Sequence, residues 1–196
     1  MDVPAPEMQG NPVGSYTVER YFRLVTDGVL EPDDRVELLE GVVVAMAPQN
    51  TPHAAGVGRA TWALTVAVGN LAVVRSQAPF IAGRYSVPEP DVAVLPGSHG
   101  DYDRAHPREA LLVVEVADSS LKQDRLTKAP IYAAARVPEY WIVDVRKQQI
   151  EVYREPDAKA RRYGAVTIVR RGARIELTTF PGTTVAVDDL LPVLAD

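Results

Sequence analysis

Apolar positions along this chain follow the two rhythms of secondary structure. Val18, Tyr21, Phe22, Leu24 and Val25 mark one face of a helix, with Thr17 placed to cap it and Gly28 to end it. Arg35 to Met46 reads as two strands joined at Glu40-Gly41. Thr51-Pro52 opens a second helix, since proline is tolerated in a first turn. Val57, Ala60, Leu64 and Val68 form its stripe to about Gly69. Leu71 to Ser76 is a strand, Ile81 to Val87 is extended, and a further strand starts at Asp91. His99 to Arg108 is a polar loop. After the apolar run Leu111 to Ala117, Asp118-Ser119-Ser120 offers caps for a helix to about Ala135. Pro130 inside that helix should kink or divide it. Tyr140 to Val145 is a strand. Gln149 to Tyr153, Ala165 to Arg170, Arg174 to Leu177 and Thr184 to Val187 form an antiparallel run. The order predicts an α/β domain: a mixed central sheet flanked by helices, with an all-β tail.

One residue breaks its own pattern. The run Leu111 to Ala117 lacks alternation, as a strand buried on both faces does, yet Glu115 sits inside it. An unpaired carboxylate there costs several kcal/mol, so a buried Arg or Lys, a shared proton or a metal ion must compensate it. Asp91, at the start of the apolar run Val92 to Leu95, repeats the anomaly. If the two strands are neighbours, two carboxylates meet at one end of a sheet. Such oxygens suit Mg²⁺ or Mn²⁺, with the Val116 carbonyl as a further ligand. Lys122 and Lys128, on the helix that follows, offer an ammonium to balance charge. Plainer readings stand beside these. Asp91 suits a turn acid, Glu115 a buried arginine partner, and Asp124 with Lys128 an i,i+4 pair on a solvated face. His53 reads first as a surface residue at a helix start and second as a substrate contact, and Tyr140 and Trp141 as core or interface aromatics.

Composition narrows the chemistry. At 196 residues and 46% hydrophobic the chain is one domain with a sizeable core. It has no cysteine, which excludes disulfides and thiolate metal sites. Its three histidines form no HExxH pair, so a hard ion on carboxylates is favoured over zinc. Residues 1–15 hold no Lys or Arg and read as a loose arm rather than a signal peptide. With no apolar stretch long enough for a bilayer, the expectation is a cytoplasmic protein without membrane contact. A net charge of −5 argues against a general nucleic-acid coat. The charge is segregated, however: Arg136 to Arg174 holds ten basic and five acidic side chains, about +5 against about −10 elsewhere. Arg161, Arg162, Arg170, Arg171 and Arg174 are the densest part. They are either solvated hairpin faces or a phosphate-contacting edge.

Four ordered segments carry a family resemblance. They are Arg35-Val36-Glu37-Leu38-Leu39-Glu40-Gly41, Glu89-Pro90-Asp91-Val92-Ala93-Val94, Leu112-Val113-Val114-Glu115-Val116 and Val137-Pro138-Glu139-Tyr140-Trp141-Ile142-Val143-Asp144. Together they resemble the bacterial Uma-type family of restriction-endonuclease-like proteins, within the PD-(D/E)XK nuclease superfamily. The resemblance spans roughly residues 16–192, leaving 1–15 as an arm and 193–196 as a tail. It implies a restriction-endonuclease-like fold and a Mg²⁺-dependent (or Mn²⁺-dependent) endonuclease that hydrolyses phosphodiester bonds in DNA. Asp91 and Glu115 match the metal-binding, catalytic acids. Glu37 matches a further acid, a third ligand or a water-positioning base. Ala117 stands where the superfamily has lysine, and the resemblance moves that role to Lys128, with Tyr132 one turn on. Gln77, Arg161 and Arg162 are candidate substrate contacts. Nucleases of this type often act as dimers, and the apolar C-terminal strands are the candidate interface. Ala117 and the acidic balance favour a rival, a nuclease-fold binding module without turnover. A hydrolase of small phosphoesters is a third reading.

Overall fold

The computed structural model describes residues 16–31 and 33–193. The expected arm, 1–15, and residues 194–196 of the expected tail lie outside the described residues. Helix α1 (Val18–Thr26) is capped by Thr17, whose hydroxyl accepts the Arg20 N–H. Strands β1 (Val36–Leu39) and β2 (Val42–Ala45) form a hairpin. Glu40 at φ 51° and Gly41 at φ 80° supply the two left-handed positions its two-residue turn requires. Helix α2 (Thr51–Val68) is capped one residue earlier than its sequence suggests, by Asn50, whose Oδ1 accepts the His53 N–H. Its stripe Val57, Ala60, Leu64 and Val68 is buried.

Six strands make the central sheet: β3 (Val73–Ser76), β4 (Val92–Leu95), β5 (Leu112–Ala117), β6 (Glu139–Asp144), β7 (Gln149–Asp157) and β8 (Arg162–Arg170). They lie in chain order, and only β5 and β6 run parallel. The expected all-β tail therefore divides. β7 and β8 extend the central sheet, whereas β9 (Arg174–Glu176) and β10 (Thr184–Ala186) pair separately, followed by α5 (Val187–Leu190). Ile81 to Val87 is not a strand. Ala82 N–H bonds Ser86 O around a bend, and only Val87 bridges to Leu38. The His99 to Arg108 loop holds one 3₁₀ turn, His99–Tyr102.

Both faces of the sheet are covered, which is why β5 lacks alternation. Leu112, Val114 and Val116 pack with the α2 stripe, β9, β10 and α5. Val113 and Ala117 face the opposite layer, with Tyr132, Tyr140 and Ile142. By the period of two, Glu115 belongs to that second layer. The β5–β6 crossover supplies it: α3 (Leu121–Gln123), a π-helical turn (Asp124–Lys128) and α4 (Ala129–Ala134) follow without a break. Pro130 lacks an N–H and crowds the carbonyl four residues back. The wide turn, closed by Ala129 N–H to Asp124 O, takes up that misfit where a kink or a division was expected. The expected caps are used otherwise. Asp118 binds Asn50 and Arg146, and the Ser120 hydroxyl donates to Asp124. No helix among the described residues is long and apolar enough to cross a membrane.

Two glycines of α2 test this packing. A Cβ on Gly56 would lie 2.7 Å from Val116 Cγ1, under a fully buried strand, whereas one on Gly58 meets nothing within 4 Å. Gly56→Ala should cost about 1–3 kcal/mol. Gly58→Ala should be neutral or stabilising by up to about 1 kcal/mol, because alanine favours the helix. Urea denaturation of the two variants checks both signs.

Candidate active site

The register of β4 on β5 sets Val92 opposite Val114 and Ala93 opposite Val113, so Asp91 falls opposite Glu115. Both carboxylates are buried. Asp91 Oδ2 accepts the Val116 N–H at 2.8 Å and lies 3.1 Å from His53 Nε2, which the first turn of α2 brings in. Glu115 Oε1 accepts from Lys128 Nζ at 3.1 Å and from the Tyr132 hydroxyl at 2.6 Å. Lys128 Nζ also lies 3.3 Å from Glu37 Oε2, which accepts the Glu89 N–H. Asp124, Lys128 and Tyr132 are four residues apart along the crossover, so all three face the sheet and all are buried. The solvated Asp124–Lys128 pair is therefore not what forms. Glu115 is matched by an ammonium and a phenol, not by a guanidinium.

These groups border a cleft of about 80 Å³. Its carboxylates are Glu37, Glu89, Asp91, Glu115, Asp118 and Asp124, and its fixed cations are Arg35 and Lys128. The crowding shows in the protonation equilibria. Burial pushes Glu115 well above the usual carboxylate range, with Lys128 opposing. Burial also raises Glu89, helped by Glu37, and pushes Asp124 up to about 6. Burial pulls Lys128 down, but Glu115, Glu37 and Asp124 outweigh it and hold its proton more tightly. The hydrogen bond to Asp91 raises His53. Oδ1 of Asp91 and Oε2 of Glu115 have no hydrogen-bond donor among the described residues. Nor, among those residues, do three His, Asp or Glu side chains stand already arranged around a metal position.

The family model for Uma2, described as "Putative restriction endonuclease", matches residues 18–188. This chain belongs to the Uma2 family. No curated protein sequence matches it. Among solved structures it is similar to one titled as a putative nuclease belonging to DUF820 from Anabaena variabilis ATCC 29413. The TM-score is 0.70 at 16% identity, over 89% of this chain and 97% of that one. That likeness establishes the fold, the mixed sheet flanked by helices.

The Uma2 fold brings Glu37, Asp91, Glu115 and Lys128 together and leaves other candidates outside. Gln77 follows β3 at φ 49°, a left-handed turn that leaves it exposed and off the cleft lining. Only its N–H reaches the neighbourhood, bonding Pro90 O and Asp91 O. Arg161 and Arg162 lie at the start of β8, three strands from β5 in the sheet order, and neither lines the cleft. Arg161 pairs instead with Glu40 of the β1–β2 turn. Lys122 is exposed and also outside the cleft lining. Tyr140 and Trp141 are core. Arg35, Glu89, Asp118 and Asp124 line the cleft too, none of them a site candidate from the sequence, and so does His53, whose plainer reading was a surface residue. The i,i+4 spacing to Lys128 was a signal for Asp124, but spacing alone does not say which face is buried.

Asp124 makes this electrostatic reading testable. Its folded pKa of about 6 exceeds the ordinary 3.8, so the fold holds the proton more tightly than the unfolded chain does. Its contribution is therefore full below about pH 4 and lost as pH rises to about 6. Relative to Asp124→Asn, the wild type should lose on the order of 3 kcal/mol across that window and stay level above it. Urea denaturation of both proteins from pH 4 to pH 7 measures the difference; a constant difference contradicts this assignment.

Proposed function

We propose that this Uma2 chain is a metal-dependent endonuclease that hydrolyses phosphodiester bonds in DNA. The observation that carries the reading is the Lys128 ammonium lodged between Glu37 and Glu115, on a cleft where Asp91 lies opposite Glu115. The donor set fits a hard divalent ion, Mg²⁺ or Mn²⁺. Acids outnumber fixed cations in the cleft, and Asp91 and Glu115 each keep one carboxylate oxygen without a donor. Those two residues would hold the ion, with Glu37 as a third oxygen donor once it turns from Lys128. When bound, the ion lowers the pKa of a coordinated water and draws charge from a phosphoryl oxygen.

The chain's own groups do the rest. Lys128 faces the charge that develops on the phosphoryl oxygens as water's oxygen attaches and the bond to the leaving sugar oxygen breaks. Tyr132 fixes Glu115, and the Val116 N–H and His53 fix Asp91, so each keeps its other oxygen toward the cleft. Where Glu37 stays on Lys128 rather than joining the ion, it is the candidate base that takes water's proton. A module without turnover gains little from an ammonium buried among carboxylates beyond neutralising Glu115, since such a pair is often no better for stability than apolar groups of similar size. The cleft is also far smaller than the roughly 300–1,000 Å³ that encloses a small molecule. It suits one phosphodiester of a strand laid across it.

Plasmid DNA should be cut in Mg²⁺ or Mn²⁺. Asp91→Asn and Glu115→Gln should abolish cutting, and Lys128→Met should slow it by roughly 10²–10³. Undiminished cutting by both carboxylate variants removes the mechanism. His53→Ala should weaken divalent-ion binding about 10–100-fold in calorimetry. Absence of any ion binding by the wild type favours the silent binding module, and cutting of RNA in place of DNA corrects the substrate.

A further inference from the structure

Helix α2 buries one face in the core, yet its other face is apolar too. Its 18 residues carry a single fixed charge, Arg59. Trp62 and Val66, both turned outward, are each 62% exposed. A surface helix ordinarily presents charge to water; one that is apolar all round belongs in an interior. The threonines do not change this, because Thr61 and Thr65 spend their hydroxyls on the carbonyls four residues back. Gly58 adds a second oddity. Glycine inside a helix costs about 1 kcal/mol relative to alanine. Nothing within this chain requires it there, since a Cβ would meet open space.

Ala54, Gly58, Trp62 and Val66 are four residues apart and all exposed, so they form one outward ridge: two small residues, then two bulky ones. Reversed end to end, the ridge sets each bulky residue against a small one. We propose that α2 packs antiparallel against α2 of a second copy, about a two-fold axis at the level of residue 60. Trp62 of each copy fills the notch at Gly58 of the other, and Val66 lies over Ala54. A two-fold axis makes each of these contacts twice, and this ridge carries both halves of the match itself. Arg59 flanks the ridge one residue from the axis and α2 has no acidic residue to pair with it, so the match rests on shape and apolar contact, not on charge. A helix of this length, about 27 Å, covers less than the roughly 800 Å² per partner of a standard interface, so the dimer is reversible. The interface is α2, not the C-terminal strands, and the proposal does not rest on the nuclease reading.

Sedimentation velocity on the full chain, from low to high micromolar concentration, tests it. The wild type should pass from monomer to dimer, with a blue shift of tryptophan emission from Trp62, since Trp141 is already buried. Trp62→Glu and Gly58→Leu should each weaken association at least about tenfold with unchanged circular dichroism. Gly58→Leu has open space in the single chain, so it keeps the fold. The paired exchange Gly58→Trp with Trp62→Gly keeps a bulky residue opposite a small one and should restore the dimer. A wild type that stays monomeric throughout, a dimer indifferent to both single variants, or an exchange that folds without dimerising each overturns the proposal.

Discussion

The contact between Lys128 and Glu115 governs the middle of this molecule. β5 is covered on both faces, and a bare carboxylate in it would destabilise the sheet by several kcal/mol. The crossover must therefore deliver a cation to one atom, Glu115 Oε1, while also packing an apolar surface on the second layer. The π turn allows both. It lets Pro130 sit inside a continuous helix and keeps Asp124, Lys128 and Tyr132 on the sheet side. The Tyr140 hydroxyl donates to Asp124 O at 3.2 Å, which ties the turn to β6.

The Lys128–Glu115 pair is a weak source of stability. Replacing a buried ion pair with apolar groups is often neutral or stabilising, so the pair as a whole adds little to stability, although Glu115 once present needs Lys128. Burial is the main reason Glu89, Glu115 and Asp124 hold their protons more tightly, with neighbouring acids adding to it and Lys128 opposing it. Proteins keep such local cost where a site needs it.

What the sequence makes legible follows from what is local. Glu115 and Asp91 stand out because a carboxylate contradicts the apolar run around it, and contradictions of that kind survive without coordinates. The helices and strands are legible from their periods, and the β1–β2 turn from Glu40-Gly41. The caps shift because neighbours compete: Asn50 takes the start of α2, and Ser120 serves Asp124 rather than the backbone. His53 and Asp124 could not be placed, since whether they face the site depends on how α2 and the crossover settle on the sheet. Gln77 misled for the opposite reason. It continues the β3 pattern, but a left-handed backbone at that one residue turns it away.

Ala117 becomes intelligible in the same terms. It lies on the Glu115 face of β5, buried beside Asp144 of β6, so a lysine there would enter the second layer from within the strand. Here the ammonium comes from the crossover above, and the strand position needs only a methyl group. The consequence is that acid and ammonium sit on different elements. Asp91 and Glu115 are fixed to each other by the β4–β5 ladder, Glu37 comes from a separate hairpin, and Lys128 is held by helix packing. The two ladder acids therefore keep their spacing however the crossover shifts, while the charge facing them depends on how Tyr132 and Tyr140 hold the helix down. Aromatic packing in the second layer thus helps to fix where the Lys128 charge sits relative to the carboxylates.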